Sequence, residues 1–496
     1  MPLRSRTNSA WSNARLLGRE GEAPAEPNSV GDSSGVSPSQ TGSKTTPRGK
    51  TPGRFAPVLF IACVVGFAIS TTPAQAQFGL ATSGVGPINR SMGGASVAAP
   101  LDASGAIYWN PASMGALGRS EMEFGVGFIV PRTTLSSAVP AGALGGGLPS
   151  TNLRGTTGGN NGTFLTPAIG LVYSPVDSPL TYGFGIFEIG GFGVNYPVTP
   201  NNPILGSQAP FGRGVGPLYT QLQLFQFTPA VSLKLTDQLY VGAAANIDMG
   251  SLSIDPALFS APNLAQTPQG PAPIYPSGTS GRTRIGGGFQ LGVYYDMNEA
   301  WSLGASVNSP QWFDHYTFNS QNPLNGNAAS PRIGLNFPLQ ASVGLGYKGI
   351  DKMLIASDFR YIDYRNTDGF RGGGFNKVGA LTGLGWQSIF AYALGVQYQW
   401  TDAFSTRVGY TFSMNPVGPS MTSFNIGSPT IIMNTLALGA SYNVTKALKL
   451  SLTYAHDFQN SVSGPLVEPF LGAIPGSRVR TATTVDTVYI GATVAF

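Results

Sequence analysis

The sequence predicts an all-β protein, a fourteen-stranded antiparallel barrel that crosses an outer membrane. Three observations support this prediction. From Glu121 to Phe496, short segments alternate apolar residues with small or polar ones, the connections are alternately very short and very long, and the last residue is phenylalanine. This combination is typical of transmembrane barrels, whose tight turns lie on one side of the membrane and whose long loops lie on the other.

The alternation has a period of two, which indicates strands rather than helices. In residues 339–348, 390–400 and 448–455, large apolar side chains fall on one face, and mainly Gly, Ala, Ser, Thr and Gln fall on the other. A soluble sandwich would carry many charged residues on its second face, whereas these second faces are small and nearly uncharged. We therefore expect the apolar face to meet lipid and the small face to line a crowded lumen, because lipid admits only sheets that close without an edge.

The connections between strands set the topology. Hairpin-scale links are expected at six places, near 174–180, 236–238, 296–300, 348–352, 401–403 and 445–446. Long stretches rich in Gly, Pro, Asn and Ser lie at seven places, about 133–163, 195–219, 253–283, 317–330, 365–386, 415–428 and 459–475. These links join fourteen strands and place both ends of the barrel on the short-turn side, the periplasm. The last strand ends at Phe496, and we expect the barrel-assembly machinery to bind this end.

The composition excludes several other classes of protein. Only 10% of the residues are charged, whereas 67 are glycine and 39 are proline. So little charge is unusual for a soluble domain, and so regular a pattern is unusual for disorder. Residues 77–496 hold 28 minus 8, or 20, basic side chains and 23 minus 4, or 19, acidic ones. This near-neutral balance argues against a nucleic-acid partner.

A signal peptide is expected at residues 48–76. Three basic residues within 48–54 precede the apolar run 55–69, and Ala74-Gln75-Ala76 supplies the small residues of a cleavage site before Gln77. The lone cysteine, Cys63, falls inside this signal. The mature chain is therefore expected to contain no disulfide and no thiolate metal site.

Two alternatives stay open for the leading segment. Cys63 could belong to a lipoprotein signal, but the apolar run continues beyond it. Residues 1–47 are rich in Ser, Thr, Pro and Gly and are expected to be disordered. They form either an extension of the signal or a stretch upstream of the true start codon. The mature chain then divides into an N-terminal segment over 77–119 and the barrel over 120–496.

The segment before the first strand carries the most specific pattern of the chain. It contains Gln77-Phe78-Gly79-Leu80, then Arg90-Ser91-Met92-Gly93-Gly94-Ala95, and finally Asn110-Pro111-Ala112 after a run rich in Gly and Ala. This segment resembles that of the FadL/TodX (OMPP1) family of outer-membrane transporters for long-chain fatty acids and hydrocarbons. The strand count and loop rhythm extend the resemblance over nearly all of 77–496. Asn-Pro alone is an ordinary turn signal, and its place just before such a barrel makes it specific.

The resemblance implies that residues 77–119 form a hatch that plugs the barrel. It assigns Phe78, Asn110, Pro111 and Ala112 to the hatch as candidate gating residues. A plug is also reasonable on physical grounds, because the side chains of a barrel of this size are too small to fill its lumen. Small residues in the hatch would let it pack closely against the wall.

The resemblance further implies that the substrate leaves sideways, through a gap beside an inward kink of the third strand. The predicted third strand, 181–196, contains Gly190, Gly191 and Gly193. Glycine inside a strand commonly marks a bulge or a bend. The alternative is that these glycines only make room for the hatch.

Candidate ligand-binding residues fall into two groups. The first group could form an outer apolar groove and consists of loop residues Leu258, Phe259, Leu264, Trp312, Phe313 and Phe318. Alternatively, these residues pack the loops together or belong to the outer aromatic belt. The second group could contact a carboxylate and consists of Arg284, Arg332, Arg360 and Arg407. Acidic residues such as Asp358 are alternative partners for these arginines.

Catalysis has little support in the sequence. The two histidines, His315 and His456, lie near outer strand ends and outside any Ser, Cys or metal-ligand motif. No nucleotide-binding fingerprint is present. We expect neither enzyme activity nor a cofactor or metal.

The sequence therefore predicts a monomeric transporter in the outer membrane of a Gram-negative-type bacterium, surrounded by outer-membrane lipids and lipopolysaccharide. Its expected activity is passive uptake of hydrophobic small molecules, such as long-chain fatty acids or hydrocarbons, through a plugged barrel with lateral exit. A general or polar-solute porin is the first alternative. A structural or adhesion barrel is the second.

Overall fold

The computed structural model describes residues 78–268 and 270–496. The N-terminal extension, the signal peptide, its cleavage site and Cys63 all lie outside the described residues, so those expectations stay predictions. Within the described part, the first long strand begins at Glu121.

Fourteen long strands form the barrel, and their side chains alternate between two faces along each strand. In chain order they are β1 (Glu121–Val139), β2 (Phe164–Tyr173), β3 (Leu180–Tyr196), β4 (Leu218–Lys234), β5 (Leu239–Asp255), β6 (Arg284–Asp296), β7 (Trp301–Asn308), β8 (Gln340–Ile350), β9 (Met353–Ile362), β10 (Ile389–Gln399), β11 (Phe404–Ser413), β12 (Asn434–Asn443), β13 (Leu448–Gly464) and β14 (Arg478–Ala495).

The strands pair in sequence order, each antiparallel to the next. β1 also pairs with β14 without interruption, from Glu121 opposite Ala495 to Ala138 opposite Arg478. This pairing closes the sheet and removes the open edges that lipid does not tolerate. The predicted fourteen-stranded antiparallel barrel is confirmed.

Short and long links alternate around the barrel, as the sequence predicts. The short links span 174–179, 235–238, 297–300, 351–352, 400–403 and 444–447, and the long links span 140–163, 197–217, 256–283, 309–339, 363–388, 414–433 and 465–477. The fourth long link is longer than the predicted 317–330. After β7 ends at Asn308, Trp312–Phe313 pairs once more with β6, and Tyr316–Thr317 pairs with Arg332–Ile333 of the same loop instead of the wall.

The long outer loops contain short strands of their own. These are Leu153–Gly158, Asn263–Thr267, Gly270–Ile274, Trp312–Phe313, Tyr316–Thr317, Ser320–Gln321, Ala328–Ala329, Arg332–Ile333, Gly373–Phe375, Leu381–Leu384, Val467–Glu468 and Gly472–Ala473. The first pairs with β1 and lengthens the wall outward. A 3-10 helix, Pro419–Asn425, lies in the sixth outer loop.

The two faces of the wall differ as expected for lipid outside and a filled lumen inside. In β10, Phe390 and Tyr392 are exposed, whereas Ala391 and Ala393 are buried. On β13, Leu452 is 55% exposed. The large apolar side chains therefore face lipid, and the small ones face the lumen.

The hatch consists of residues 78–118 and contains three short helices: α1 (Pro87–Ser91), α2 (Ala103–Trp109) and α3 (Ser113–Ala116). Pro87 begins α1, where its missing N–H is not needed. Nearly all hatch residues are buried, and they form a continuous apolar core with the outer loops. Among the residues that the structure describes, no helix is long and apolar enough to cross a bilayer.

Candidate functional site: the hatch, a side gap and a cavity

Polar side chains of the wall bind the backbone of the hatch. Hatch carbonyls accept hydrogen bonds of 2.6–3.0 Å, in the pairs Ser232–Ala112, Gln290–Tyr108, Ser302–Ala98, Ser306–Trp109, Thr411–Gly93 and Thr453–Pro87. Hatch amides donate to wall carboxylates, from Ala103 to Glu121 over 2.7 Å and from Ser96 to Asp358 over 2.8 Å. The polar face of the strands therefore satisfies backbone groups that the short helices leave unpaired.

Asn110 joins the hatch to the wall. Its Nδ2 donates to the carbonyls of Val97 in the hatch (2.8 Å) and Val293 in β6 (3.0 Å), and its Oδ1 accepts from the backbone N–H of Ala112 (3.1 Å). Its side chain lies directly against Gly292, where any Cβ would collide with Oδ1. Asn110 is fully buried, so its side chain is sheltered from water.

Pro111 and Ala112 complete the attachment. Their backbone lies against Gly242 of β5, and a Cβ at that glycine would overlap it. The geometry of the Asn-Pro-Ala triplet is that of an anchor on β4, β5 and β6. A gating role for the triplet stays a prediction.

The first residues of the hatch bind the wall differently, by pairing with the backbone of β3. The N–H of Thr82 donates to the carbonyl of Ile189 (3.0 Å), and the N–H of Gly191 donates to the carbonyl of Leu80 (3.2 Å). Residues 78–81 form a tight turn, and Ala81 forms a single bridge with Gly190 of β3.

Tyr364 of the fifth outer loop holds the same segment from the other side. Its hydroxyl donates to the carbonyl of Phe78 and accepts from the N–H of Leu80 (2.8 Å). Burial raises the pKa of Tyr364, so the hydroxyl stays neutral and keeps its proton for donation. The ring of Phe78 packs edge-on against Trp109, with 6.2 Å between ring centroids.

The glycine cluster of β3 coincides with a bulge. The register of β3 against β4 shifts between Glu188 and Gly190. A Cβ at Gly190 would lie 2.5 Å from the carbonyl oxygen of Leu80. Both explanations of these glycines therefore apply, because the strand is bulged there and the missing side chain also makes room for the hatch.

The ladder between β2 and β3 stops partway across the wall. Its pairs end at Ala168 opposite Phe187. Farther outward, β2 continues to Phe164 along β1, and β3 continues to Tyr196 along β4. Among the described residues, these continuing parts are not paired with each other.

We call this unpaired interval, residues 188–194 of β3 with the facing end of β2, the side gap. Contact resumes outside it, where the N–H of Asn160 donates to the carbonyl of Asn195 (2.7 Å). The ring of Phe164 lies across the gap, with its tip 3.0 Å from the place where a Cβ of Gly193 would be. The absence of that Cβ lets the ring reach β3.

A cavity lies directly behind the side gap. Its volume, measured as the space open to the centres of water molecules, is about 110 Å³. It is lined by the hatch (Leu80, Thr82, Arg90), by the β2 edge (Phe164, Thr166), by the β3 edge (Glu188, Phe192, Gly190, Gly191, Gly193), and by β1 and β14 (Ile129, Val485, Tyr489), among others. An apolar molecule inside the cavity would therefore contact the hatch and both edges of the side gap.

Two charged side chains line this cavity. Arg90 forms an ion pair with Asp457 of β13 at 3.4 Å, and both are buried. Glu188 shares the strand face of the exposed residues Tyr182 and Phe184, yet its Oε2 is buried without a hydrogen-bond partner in the described structure. Neither Glu188 nor Phe164 is among the site residues expected from the sequence. An acidic residue at a lipid-facing position of an apolar strand is the signal that could have identified Glu188.

The structure places the six predicted groove residues in different surroundings, and a shared groove stays a prediction. Phe259, Phe313 and Phe318 pack into the apolar core that joins the hatch to the loops. Leu264 and Trp312 are exposed, at 54% and 53%. Leu258 lines a second, smaller cavity among the outer loops. The structure thus brings three of the six together, and their positions fit loop packing.

Arg360 is fully buried, and its contacts are internal. Its Nη2 donates to Asp358 (2.6 Å) and to the carbonyl of Gly94 in the hatch (2.7 Å). Its guanidinium lies 3.6 Å from the ring centroid of Trp109, a cation–π contact. Arg360 therefore ties the hatch to β9.

The other three predicted arginines do not come together at one point, although Arg284 binds Thr317, the residue that pairs with Arg332. Arg407 donates to Gln397 (2.6 Å) and Ser441 (2.7 Å) on the neighbouring strands. Arg284 donates to Thr317 in the fourth outer loop, and Arg332 is exposed. None of these three lines the cavity behind the side gap. A carboxylate contact by any of them stays a prediction.

The histidines lie away from the cavity. His456 bonds through Nδ1 to Asp486 (2.7 Å), which also pairs with Arg132 (2.5 Å) on the outer surface. His315 lies beside Gly334 in the fourth outer loop. Within the described residues, no group of His, Cys, Asp and Glu is arranged to hold a metal ion.

The fold and this site define a class of protein, the outer-membrane barrels plugged by their own N-terminal segment. The family described as "Outer membrane protein transport protein (OMPP1/FadL/TodX)" matches the chain over residues 66–496. The chain belongs to this family, and it lies in the outer membrane. Its transport role follows from that membership.

Solved structures with the same fold support this assignment. The toluene transporter TodX of Pseudomonas putida is 16% identical in sequence, with a TM-score of 0.57. The match covers 84% of this chain and 99% of the TodX chain. A FadL homologue of Pseudomonas aeruginosa is 16% identical, covers 84% and 100%, and gives a TM-score of 0.62. The toluene transporter TbuX of Ralstonia pickettii is 16% identical, covers 84% and 99%, and gives a TM-score of 0.53. No curated protein sequence matches the chain.

Proposed function

We propose that this protein takes up hydrophobic small molecules, long-chain fatty acids or hydrocarbons, by passive diffusion through binding sites, and releases them sideways through the side gap. The observation that carries the proposal is the cavity behind the interrupted ladder between β2 and β3. An apolar molecule held there has lipid on one side and the hatch on the other. It could reach the bilayer without crossing periplasmic water.

The filled lumen supports this function over that of a general porin. Open barrels of this size hold a water channel, whereas here the wall binds the hatch backbone at many points around the lumen. The solved relatives include toluene transporters and a FadL homologue, which is consistent with an apolar substrate. We further propose that transport involves no catalysis, since the two histidines lie outside the cavity.

The same reasoning extends to assembly. A single chain closes the barrel through β1 and β14, so a monomer is sufficient for the proposed route. Phe496 is 67% exposed at the periplasmic end of β14, which suits recognition by the barrel-assembly machinery.

Uptake and conductance together test the proposed function. In a strain lacking its own fatty acid transporter, the chain should restore uptake of a labelled long-chain fatty acid or of toluene. In planar bilayers the purified protein should conduct ions poorly. Steady conductance without uptake would favour a porin, and neither property would favour a structural or adhesion barrel.

Photocrosslinking tests the lateral route. A benzophenone side chain in place of Phe164 should capture a labelled fatty acid, because that position lines the cavity and crosses the side gap. The matched control replaces Tyr240, an aromatic residue packed against Gly115 at the periplasmic end of the hatch. Strong capture at position 240 would instead indicate a route straight down the lumen.

A further inference from the structure

Three arginines cluster on the outer surface of the wall. Arg154, Arg478 and Arg480, which we call the arginine patch, lie on the short strand Leu153–Gly158 and on β14. Ala138 of β1 lies opposite both Arg154 and Arg478. Arg480 lies one row farther down the same face. The three residues therefore share one face of three adjacent strands, with Arg154 two strand spacings, or roughly 10 Å, from Arg478.

The arginine patch is on the lipid-facing side. β14 pairs with β1 without a bulge, so residues of one parity share a face along its whole length. Val488 and Ile490 on this face are exposed, as are Arg478 and Arg480, whereas the intervening Val479 is fully buried.

Strand length places the patch above the hydrocarbon. A tilted strand crosses the hydrocarbon in about ten residues, and β14 has 18. Ten residues counted from Val494, near the periplasmic end of β14, toward the outer side of the membrane end near Thr484. At that level Arg132 pairs with Asp486, a polar pair that marks the end of the apolar band. Arg480 and Arg478 therefore lie at the level of the outer headgroups.

The positive charge of the patch has little compensation nearby. Residues 131–163, 458–464 and 477–485 contain no Asp or Glu. Arg478 and Arg480 donate to Ser463 and Ser461 over 3.0–3.3 Å, which orients the guanidinium groups but does not neutralise them.

We propose that the arginine patch binds the phosphate groups of lipopolysaccharide in the outer leaflet. Guanidinium groups bind phosphate through paired, charge-assisted hydrogen bonds. Ser136 lies directly opposite Arg480, and its hydroxyl and that of Thr156, 2.8 Å apart, offer bonds to the adjoining sugar. This ligand binds outside the barrel, so the inference is independent of the substrate that crosses it.

Binding of purified lipid A to the detergent-solubilised full-length protein tests the proposal. Replacing Arg154, Arg478 and Arg480 with Gln should lower the affinity for diphosphoryl lipid A roughly a hundredfold. This factor is the combined loss of three arginine contacts with an anionic headgroup, each worth about fivefold in affinity. Binding by the unchanged protein should weaken with salt. The matched control replaces Arg282, Arg365 and Lys377, exposed cations of other outer loops, and should bind normally.

Several outcomes would overturn the proposal. Equal affinity of the arginine-patch variant and the unchanged protein would remove the patch as the site. Equal binding of phosphatidylglycerol would mean that any anionic lipid suffices, and full displacement by inorganic phosphate would mean that the patch binds a free ion. If heat-modifiable migration shows the triple variant unfolded, Arg154→Gln alone, on the short strand beyond the barrel, should still lose about fivefold; no loss would overturn the proposal.

Discussion

The two ends of the hatch are attached to the barrel in different ways. The part from Pro87 to Ala112 is bound by side chains from many strands, including Arg360, which binds Gly94, and it is anchored by Asn110. Residues 78–82 form two backbone bonds to β3 and bonds to Tyr364, and Phe78 packs against Trp109. Release of the first part requires many bonds to break together, whereas a few contacts decide the position of the second. Residues 78–82 form fewer hydrogen bonds with the barrel, and we call them the weakly held end of the hatch. They lie beside the side gap.

Removal of the whole hatch should have the largest effect. Deleting residues 77–118 should turn a poorly conducting barrel into an ion-conducting pore, because the wall alone leaves a lumen of this width filled with water. Single-channel recording in planar bilayers measures the change. Unchanged low conductance in a folded deletion variant would show that the outer loops close the pore.

Disturbing only the weakly held end should mainly change transport. In Gly190→Val, the new side chain would collide with the carbonyl of Leu80 and displace residues 78–82 or the bulge of β3. Uptake of a labelled long-chain fatty acid should fall roughly tenfold, because a moderate overpacking cost of about 1.4 kcal/mol corresponds to a tenfold change in rate. Heat-modifiable migration should be retained.

The control for this variant is Gly158→Val, a strand glycine with open space around it. It should leave uptake unchanged, since valine suits a strand. Normal uptake by folded Gly190→Val would show that the contact between the hatch and β3 does not limit transport.

The sequence predicts the fold well because lipid imposes a simple rule on every strand. Alternation and loop rhythm suffice to place the fourteen strands, and the glycine cluster of β3 does coincide with a bulge. The ligand-contact candidates are harder to judge, because an apolar residue in an outer loop serves packing as readily as binding. Phe318 illustrates this, since it is almost fully buried in the core.

The cavity itself could not be predicted, because its lining comes from segments far apart in the chain. Phe164 and Glu188 line the same cavity only because the β2–β3 ladder ends below them. Arg360 shows the opposite case, in which a residue that the sequence suggests as a ligand contact is used inside the fold. A buried arginine has the chemistry to bind a ligand, but here its partners are Asp358 and the hatch.

Disturbing the strongly held end should change stability more than transport. Asn110→Ala removes the bonds to the carbonyls of Val97 and Val293 and leaves both without that donor. The barrel should lose about 2 kcal/mol of unfolding free energy. The apparent midpoint of heat-modifiable migration, measured at one heating rate, should fall by several degrees, and uptake below the midpoint should persist.

Asn443→Ala is the matched control, since Asn443 donates to a carbonyl at an exposed periplasmic turn. It should barely shift the midpoint. A large loss of uptake by folded Asn110→Ala would contradict the division between an anchoring end and a transport end, and would give the Asn-Pro-Ala triplet a gating role.

The smallest expected effect concerns selectivity at the side gap. Glu188 brings a carboxyl group to the edge that a departing molecule passes. When ionised there, it should disfavour an anion by about 1 kcal/mol, or roughly fivefold. Glu188→Gln keeps the shape and removes the charge, so at an alkaline pH at which this buried carboxyl is ionised, uptake of dodecanoate relative to dodecanol should rise by that factor. Asp248→Asn, a buried carboxyl on β5 outside the cavity, is the control and should leave the ratio unchanged. An unchanged ratio in Glu188→Gln, with uptake of both compounds intact, would mean that substrates do not pass Glu188 on leaving the barrel.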